Sequence, residues 1–168
     1  YSGFSRNSVA KQIRSYALSV INADIILLTS FFDGFKDNTL IDYDKDYLLP
    51  PVVALIYDLI PLIMPKMYLY NDEEYKYFYY QKIKDLRQLD ALLTISESSK
   101  NEILQYTQFK EDQVFNISAS CDKNLFNEEL NNFPALSINI QDFGKYLLYV
   151  GALDPRKNLY SLIKAYSL

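Results

Sequence analysis

Residues 146–165 read YLLYVGALDPRKNLYSLIKA. An unbroken apolar run of strand length, 146–150, meets Gly151 and a polar turn, after which Leu159, Leu162, Ile163 and Tyr166 recur at helical spacing. The pattern predicts a strand, a tight turn and the start of a helix. A run apolar at every position suits a strand covered on both faces, as in the parallel sheet of an α/β protein. Ligands of such sheets sit at the carboxyl ends of the strands, where residues 151–158 would lie. Asn158 is the expected cap of the helix. Arg156 and Lys157 would then stand beside its positive N-terminus, as at a phosphate or diphosphate site. A solvated turn with two surface cations fits the same residues.

Working back along the chain, the same pattern recurs. An amphipathic helix is predicted over 7–22, with Val9, Ile13, Tyr16, Ala17 and Val20 on its buried face. Four apolar runs read as strands: 23–29 (ADIILLT), 51–57 (PVVALIY), 89–95 and 114–118. The first is followed by SFFDGF, where Gly34 permits a tight fold and makes the loop, with Asp33, a candidate ligand loop; a plug at the edge of the core is the other reading of its aromatics. The second ends in Tyr57 and Asp58, and a carboxylate at such a strand end is either paired or facing a cleft. Pro61 and Pro65 predict an irregular connection to Tyr70. Asn71 is the expected cap of a helix whose apolar stripe is Tyr75, Phe78, Tyr79, Ile83 and Leu86, with lysines on the other face. Ser96 reads as the N-cap of a further helix, from Glu97 to about Tyr106, where hydroxyls and free amides could also meet sugar hydroxyls or phosphate. Residues 124–144 turn polar, and a domain boundary or linker is placed there.

Composition narrows the chemistry. The 168 residues carry a net charge of −4, and 49% are hydrophobic, which fits a soluble globular chain and argues against a nucleic-acid surface or a polybasic membrane patch. There is no histidine and one cysteine, Cys121. That excludes a Ser-His-Asp or Cys-His arrangement and an internal disulfide, and leaves no basis for a zinc cluster. The single thiol fits a reducing compartment.

Five stretches in order, SFFDGFKDN, ALIYDLIP, LRQLDALLTISESSKNEI, VFNISASCDKNLF and YVGALDPRKN, resemble the retaining glycosyltransferases of family 4, and within them a subgroup that includes bacterial polysaccharide mannosyltransferases. Around the last stretch, Gly151, Lys157, Asn158, Leu159, Ile163 and Ala165 match the family pattern. Ala152 stands where an Arg usually follows the Gly, with Arg156 as its substitute. Tyr57 stands where many relatives carry a histidine before the matching Asp58.

The resemblance implies an α/β fold, a Rossmann-like parallel sheet with flanking helices, as part of a two-domain GT-B enzyme. Residues 1–133 would be the latter part of the acceptor-side domain, 134–144 a linker, and 145–168 the first strand and helix of the donor-side domain. The family's Gly-rich loop would precede Tyr1, and its pair of glutamates would follow Leu168. The implied reaction moves a sugar, mannose by analogy with the subgroup, from a nucleoside-diphosphate donor such as GDP-mannose to a glycan or lipid-linked glycan, with retention. The acceptor hydroxyl attacks on the face that the diphosphate leaves. Gly151, Arg156 and Lys157 would hold the diphosphate, Tyr57, Asp58 and Ser96 the sugar, and Asp33 and Gly34 the acceptor side, with Asp58 the catalytic candidate. No cofactor, metal or nucleic acid is implied. A cytoplasmic location, peripheral membrane association of the parent protein and a homodimer of this stretch are further expectations. Alone, the stretch should lack transferase activity, and 146–150 should dock on the sheet edge or pair with a second copy. Two alternatives stay open: a non-catalytic module that binds sugar nucleotides or serves assembly, and a receiver-type signalling domain phosphorylated on Asp58, with Thr94 or Ser96 supplying its hydroxyl.

Overall fold

In the computed structural model, which describes residues 6–37, 39–44, 46–122 and 144–167, the four upstream apolar runs form one parallel sheet. Its strands are β1 (Ile26–Leu28), β2 (Val52–Ile56), β3 (Ala91–Thr94) and β4 (Val114–Asn116), arranged in that order. Val53 lies opposite both Leu27 of β1 and Ala91 of β3, and Leu93 lies opposite Phe115 of β4. Each strand is shorter than its apolar run, because only residues with a hydrogen-bonded neighbour join the ladder. Val52, Ala54 and Ile56 are buried while Val53 and Leu55 are half-covered. Val52, Ala54 and Ile56 join Ile26, Leu59, Leu86, Leu92, Ile103 and Val114 in a single hydrophobic core.

The chain divides into two units, Tyr1–Cys121 and Asp122–Leu168. In the first, α1 (Arg6–Val20) forms where periodicity places it. Its expected buried face points the other way: Ile13, Tyr16 and Val20 are 60–65% exposed. Ser15, fully buried, is what meets the fold, because its hydroxyl donates to the Lys11 carbonyl at 2.8 Å and accepts the Asp44 amide at 2.7 Å. The incoming loop, which buries Ile41 and Tyr43, therefore takes the side of α1 that carries Ser15 and Leu18. Periodicity reveals that a helix has an apolar face but not which neighbour covers it.

Pro61 and Pro65 do not keep their segment irregular. Each sits in the first turn of a one-turn helix, α2 (Ile60–Ile63) and α3 (Pro65–Tyr68), where the missing amide hydrogen would have no partner anyway. The next helix, α4 (Glu73–Asp85), is capped by Asp72 rather than Asn71, the carboxylate accepting the Tyr75 amide at 2.9 Å. Its aromatic stripe packs inward as expected, but Lys82 is buried with it. Ser96 does cap α5 (Glu97–Tyr106), accepting the Ser99 amide at 3.1 Å.

The second unit departs furthest from expectation. Residues 146–150 carry no strand and are not part of the four-stranded sheet; Leu148 and Val150 are 75% and 87% exposed. A strand needs a partner for its backbone groups, and among the described residues of this unit no second strand stands beside it. The helix does form, as α6 (Leu159–Tyr166), and the Tyr166 hydroxyl donates to the Lys145 carbonyl at 3.1 Å. Asn158 precedes it in the left-handed conformation, φ 47°, without a side-chain capping bond. It turns the chain out of the 3₁₀ turn Pro155–Lys157 instead. Most of 124–144 lies outside the described residues.

Candidate functional site

The carboxyl ends of β1 and β2 deliver two loops to one place, with α4 as the third wall. Between them opens a cavity of about 230 Å³, lined among others by Phe32, Asp33, Tyr57, Asp58, Tyr75 and Tyr79. Three residues singled out in the sequence, Asp33, Tyr57 and Asp58, thus meet in one cavity. Its back is aromatic: Phe32 stacks on Tyr79 with ring centroids 5.0 Å apart, and Phe31 meets Phe32 edge-on at 5.4 Å.

The β2 loop is held rigidly. The Asp58 carboxylate accepts the Ile60 amide at 3.0 Å, folding back over its own turn. From α5, Glu102 accepts the Leu59 amide at 3.1 Å and the Ser99 hydroxyl donates to the Tyr57 carbonyl at 2.6 Å. Ser96 does not line the cavity. Its hydroxyl serves the α5 cap and stands 3.0 Å from that of Ser99, so it reaches the β2 loop only through Ser99. Sequence reasoning counted Ser99 among the hydroxyls at the start of this helix but missed Glu102, although the two stand three apart on one face of α5 and could have been flagged by that spacing.

Tyr79 was assigned to the core, and it is 2% exposed, yet its hydroxyl is buried without a hydrogen-bond partner among the described residues. Burial, helped by Tyr75 and Asp58, pushes its phenol far up and so keeps it a neutral donor. The Leu62 amide acts weakly on it, but that amide already donates to the Leu59 carbonyl at 2.9 Å. Tyr75, one helical turn earlier, is pushed up by burial and then by Asp58. A buried hydroxyl left unsatisfied by the protein at a cavity wall is suited to meet a polar group that enters.

Gly34 lies in the loop as expected and at a position only glycine fits. Its φ is +101°, and a Cβ there would stand 2.7 Å from the Thr39 carbonyl oxygen. The same loop is braced by the Asp37 carboxylate, which accepts the Thr39 amide at 2.7 Å and is held below the usual carboxylate range by hydrogen bonding first from the Thr39 side chain and then from that amide. Gly34 lines a second cavity, of about 460 Å³.

In the other unit, Gly151, Arg156 and Lys157 occupy one turn. A Cβ on Gly151 would stand 2.7 Å from the Tyr149 hydroxyl, which donates to the Ala152 carbonyl at 3.0 Å. The Asp154 carboxylate accepts the Arg156 amide at 2.9 Å and takes its guanidinium at 2.9 and 3.1 Å. Arg156 is thus engaged by a neighbouring carboxylate within its own turn. Lys157 is exposed at the same turn.

No helix among the described residues is long and apolar enough to cross a membrane. No family model matches the chain, and no solved structure matches it. Over 165 residues, 97% of its length, the chain is 30% identical to a serotype-specific mannosyltransferase WbdA of Escherichia coli. Another Escherichia coli protein of that name is 29% identical over the same share. An O-antigen chain mannosyltransferase B of Escherichia coli is 28% identical over 78 residues, 46% of the chain. The chain spans about a fifth of the length of each of these relatives.

Proposed function

We propose that the protein to which this chain belongs is a glycosyltransferase that moves mannose from a nucleoside-diphosphate donor, GDP-mannose, to a glycan acceptor. The observation that carries this proposal is the likeness to mannosyltransferases along 97% of the chain. Family 4 membership, a GT-B arrangement and retention of configuration belong to the same proposal and rest on the sequence motifs. The geometry supports it in kind: a cavity at the carboxyl ends of parallel strands, with carboxylates beside aromatic faces, suits a sugar, which offers both hydroxyls and C–H faces. Asp58 and the Tyr79 hydroxyl would orient sugar hydroxyls, while Asp33 would face the acceptor. In the second unit Lys157 and Arg156 would stabilise the departing diphosphate by charge-assisted contacts.

The receiver alternative fares worse. The Thr94 hydroxyl is buried and bonded toward the Ser96 and Phe115 carbonyls at 3.3 and 3.5 Å, and the Ser96 hydroxyl is occupied as a cap. Neither is free to complete a phosphorylation switch at Asp58.

The test is transfer by the intact parent protein with a panel of labelled sugar nucleotides and glycan acceptors. Mannose transfer from GDP-mannose, with the donor's anomeric configuration kept in the product by NMR, is the expected result. No transfer and no donor hydrolysis with any sugar nucleotide would overturn the proposal. Arg156→Ala combined with Lys157→Ala should weaken donor binding by about 2–4 kcal/mol, on the order of two charge-assisted contacts; unchanged affinity would make these cations a solvated turn.

A further inference from the structure

The larger cavity, of about 460 Å³, shares Asp33 with the smaller one. Its size falls within the range of small-ligand pockets, about 300–1,000 Å³. One wall is a single face of α4, where Tyr77, Phe78, Gln81, Lys82 and Asp85 follow one another at helical spacing. Another is the loop that carries Gly34 and Asp42. Lys82 has only 7% of its side chain exposed. Its ammonium lies 2.7 Å from Asp42 Oδ1 and 5.6 and 5.7 Å from the centroids of the Phe31 and Phe78 rings. A charge so placed is costly to bury unless it is paired and bonded.

The lining chemistry selects the ligand. Three carboxylates, Asp33, Asp42 and Asp85, face two ammonium groups, Lys11 and Lys82, so an anionic ligand meets an excess of like charge. A purely apolar ligand would strand the same groups without hydrogen bonds. A neutral sugar satisfies both constraints, because its hydroxyls bond to carboxylates and amides while its C–H face packs on the exposed ring of Tyr77 and the half-buried ring of Phe78.

We infer that this cavity is a subsite for a neutral hexose unit of the acceptor glycan, reached through Asp33 from the cavity at Asp58. The inference rests on the proposed glycosyltransferase function for the identity of the ligand as an acceptor. Binding itself needs no catalysis, so the two can fail separately.

The experiment is a ligand-observed NMR titration of the whole 168-residue chain with two neutral trisaccharides, mannotriose and maltotriose, and one anionic, trigalacturonate. Saturable binding of a neutral trisaccharide is expected, with trigalacturonate at least about ten-fold weaker, a difference of roughly 1.4 kcal/mol. Tyr77→Ala, at a residue 69% exposed and outside the core, and independently Gln81→Ala, should each weaken it about five-fold or more. Failure of both neutral trisaccharides to bind, equal binding of trigalacturonate, or affinities unmoved in both variants would overturn the subsite. Absence of transfer by the parent, with this binding intact, would overturn the functional proposal and leave the subsite standing.

Discussion

The Ser99 hydroxyl donates to the Tyr57 carbonyl at 2.6 Å, so the first turn of α5 is tied to the carboxyl end of β2 at the cavity's mouth. Ser99 is 5% exposed, and its loss removes the donor to that carbonyl and the hydroxyl contact to Ser96, which then keeps only the Ser99 amide. Ser99→Ala should therefore lower unfolding stability by about 1–3 kcal/mol. Urea denaturation would measure it, and an unchanged midpoint would show that the bond contributes nothing.

Lys82 and Asp42 form a pair with one partner buried and the other half exposed. Asp42→Ala strands an ammonium in the interior, whereas Lys82→Met keeps the volume and removes the charge. The first should cost about 1–3 kcal/mol and the second less. The reverse order in denaturant unfolding would contradict the assignment of Lys82 as a buried cation dependent on Asp42.

Gly34→Ala should destabilise the chain by about 1–3 kcal/mol, since the new methyl meets a backbone oxygen at 2.7 Å in a left-handed residue. Thermal or urea unfolding reads this directly. A change within about 0.5 kcal/mol would mean that the loop shifts without cost.

Alkaline pH should destabilise the chain in part through Tyr43, alongside Tyr79, whose phenol burial also pushes up. Burial first, then Asp90 and Asp85, push the Tyr43 phenol from 10.0 to about 12, and its hydroxyl donates to the Gln88 carbonyl at 3.0 Å. The unfolded chain loses this proton first, so the contribution is complete below about pH 10 and is lost as pH rises toward about 12. Tyr43→Phe should flatten the fall of the urea midpoint across that window, even though losing the hydrogen bond lowers stability by a constant amount. An equal slope in both proteins would locate the alkaline transition elsewhere.

The sheet was legible because its information is local. Runs such as 51–57 are apolar on both strand faces, and their neighbours in the sequence became their neighbours in space. The run at 146–150 is equally apolar and formed no strand, since pairing depends on a partner that a run cannot specify. For α1 the period gave the helix and not its orientation, which was decided by Ser15 bonding the Asp44 amide. Lys82 looked like a surface lysine because burial of an ammonium depends on Asp42, forty residues away. At the candidate site, Asp33, Tyr57 and Asp58 could be found from their places after strands. Tyr79 could not, because nothing in an aromatic stripe tells which hydroxyl is left without a partner.

The strands lie across the sheet in the order in which they occur along the chain. During synthesis, each of β2 to β4 therefore leaves the ribosome with its docking edge already made, and none of these four described strands has to wait for a later one before it can insert between others. The sheet can grow vectorially from β1 to β4. Truncation from the carboxyl end would strip it one edge at a time, removing Val114–Asn116 first and leaving β1 to β3 still paired as neighbours.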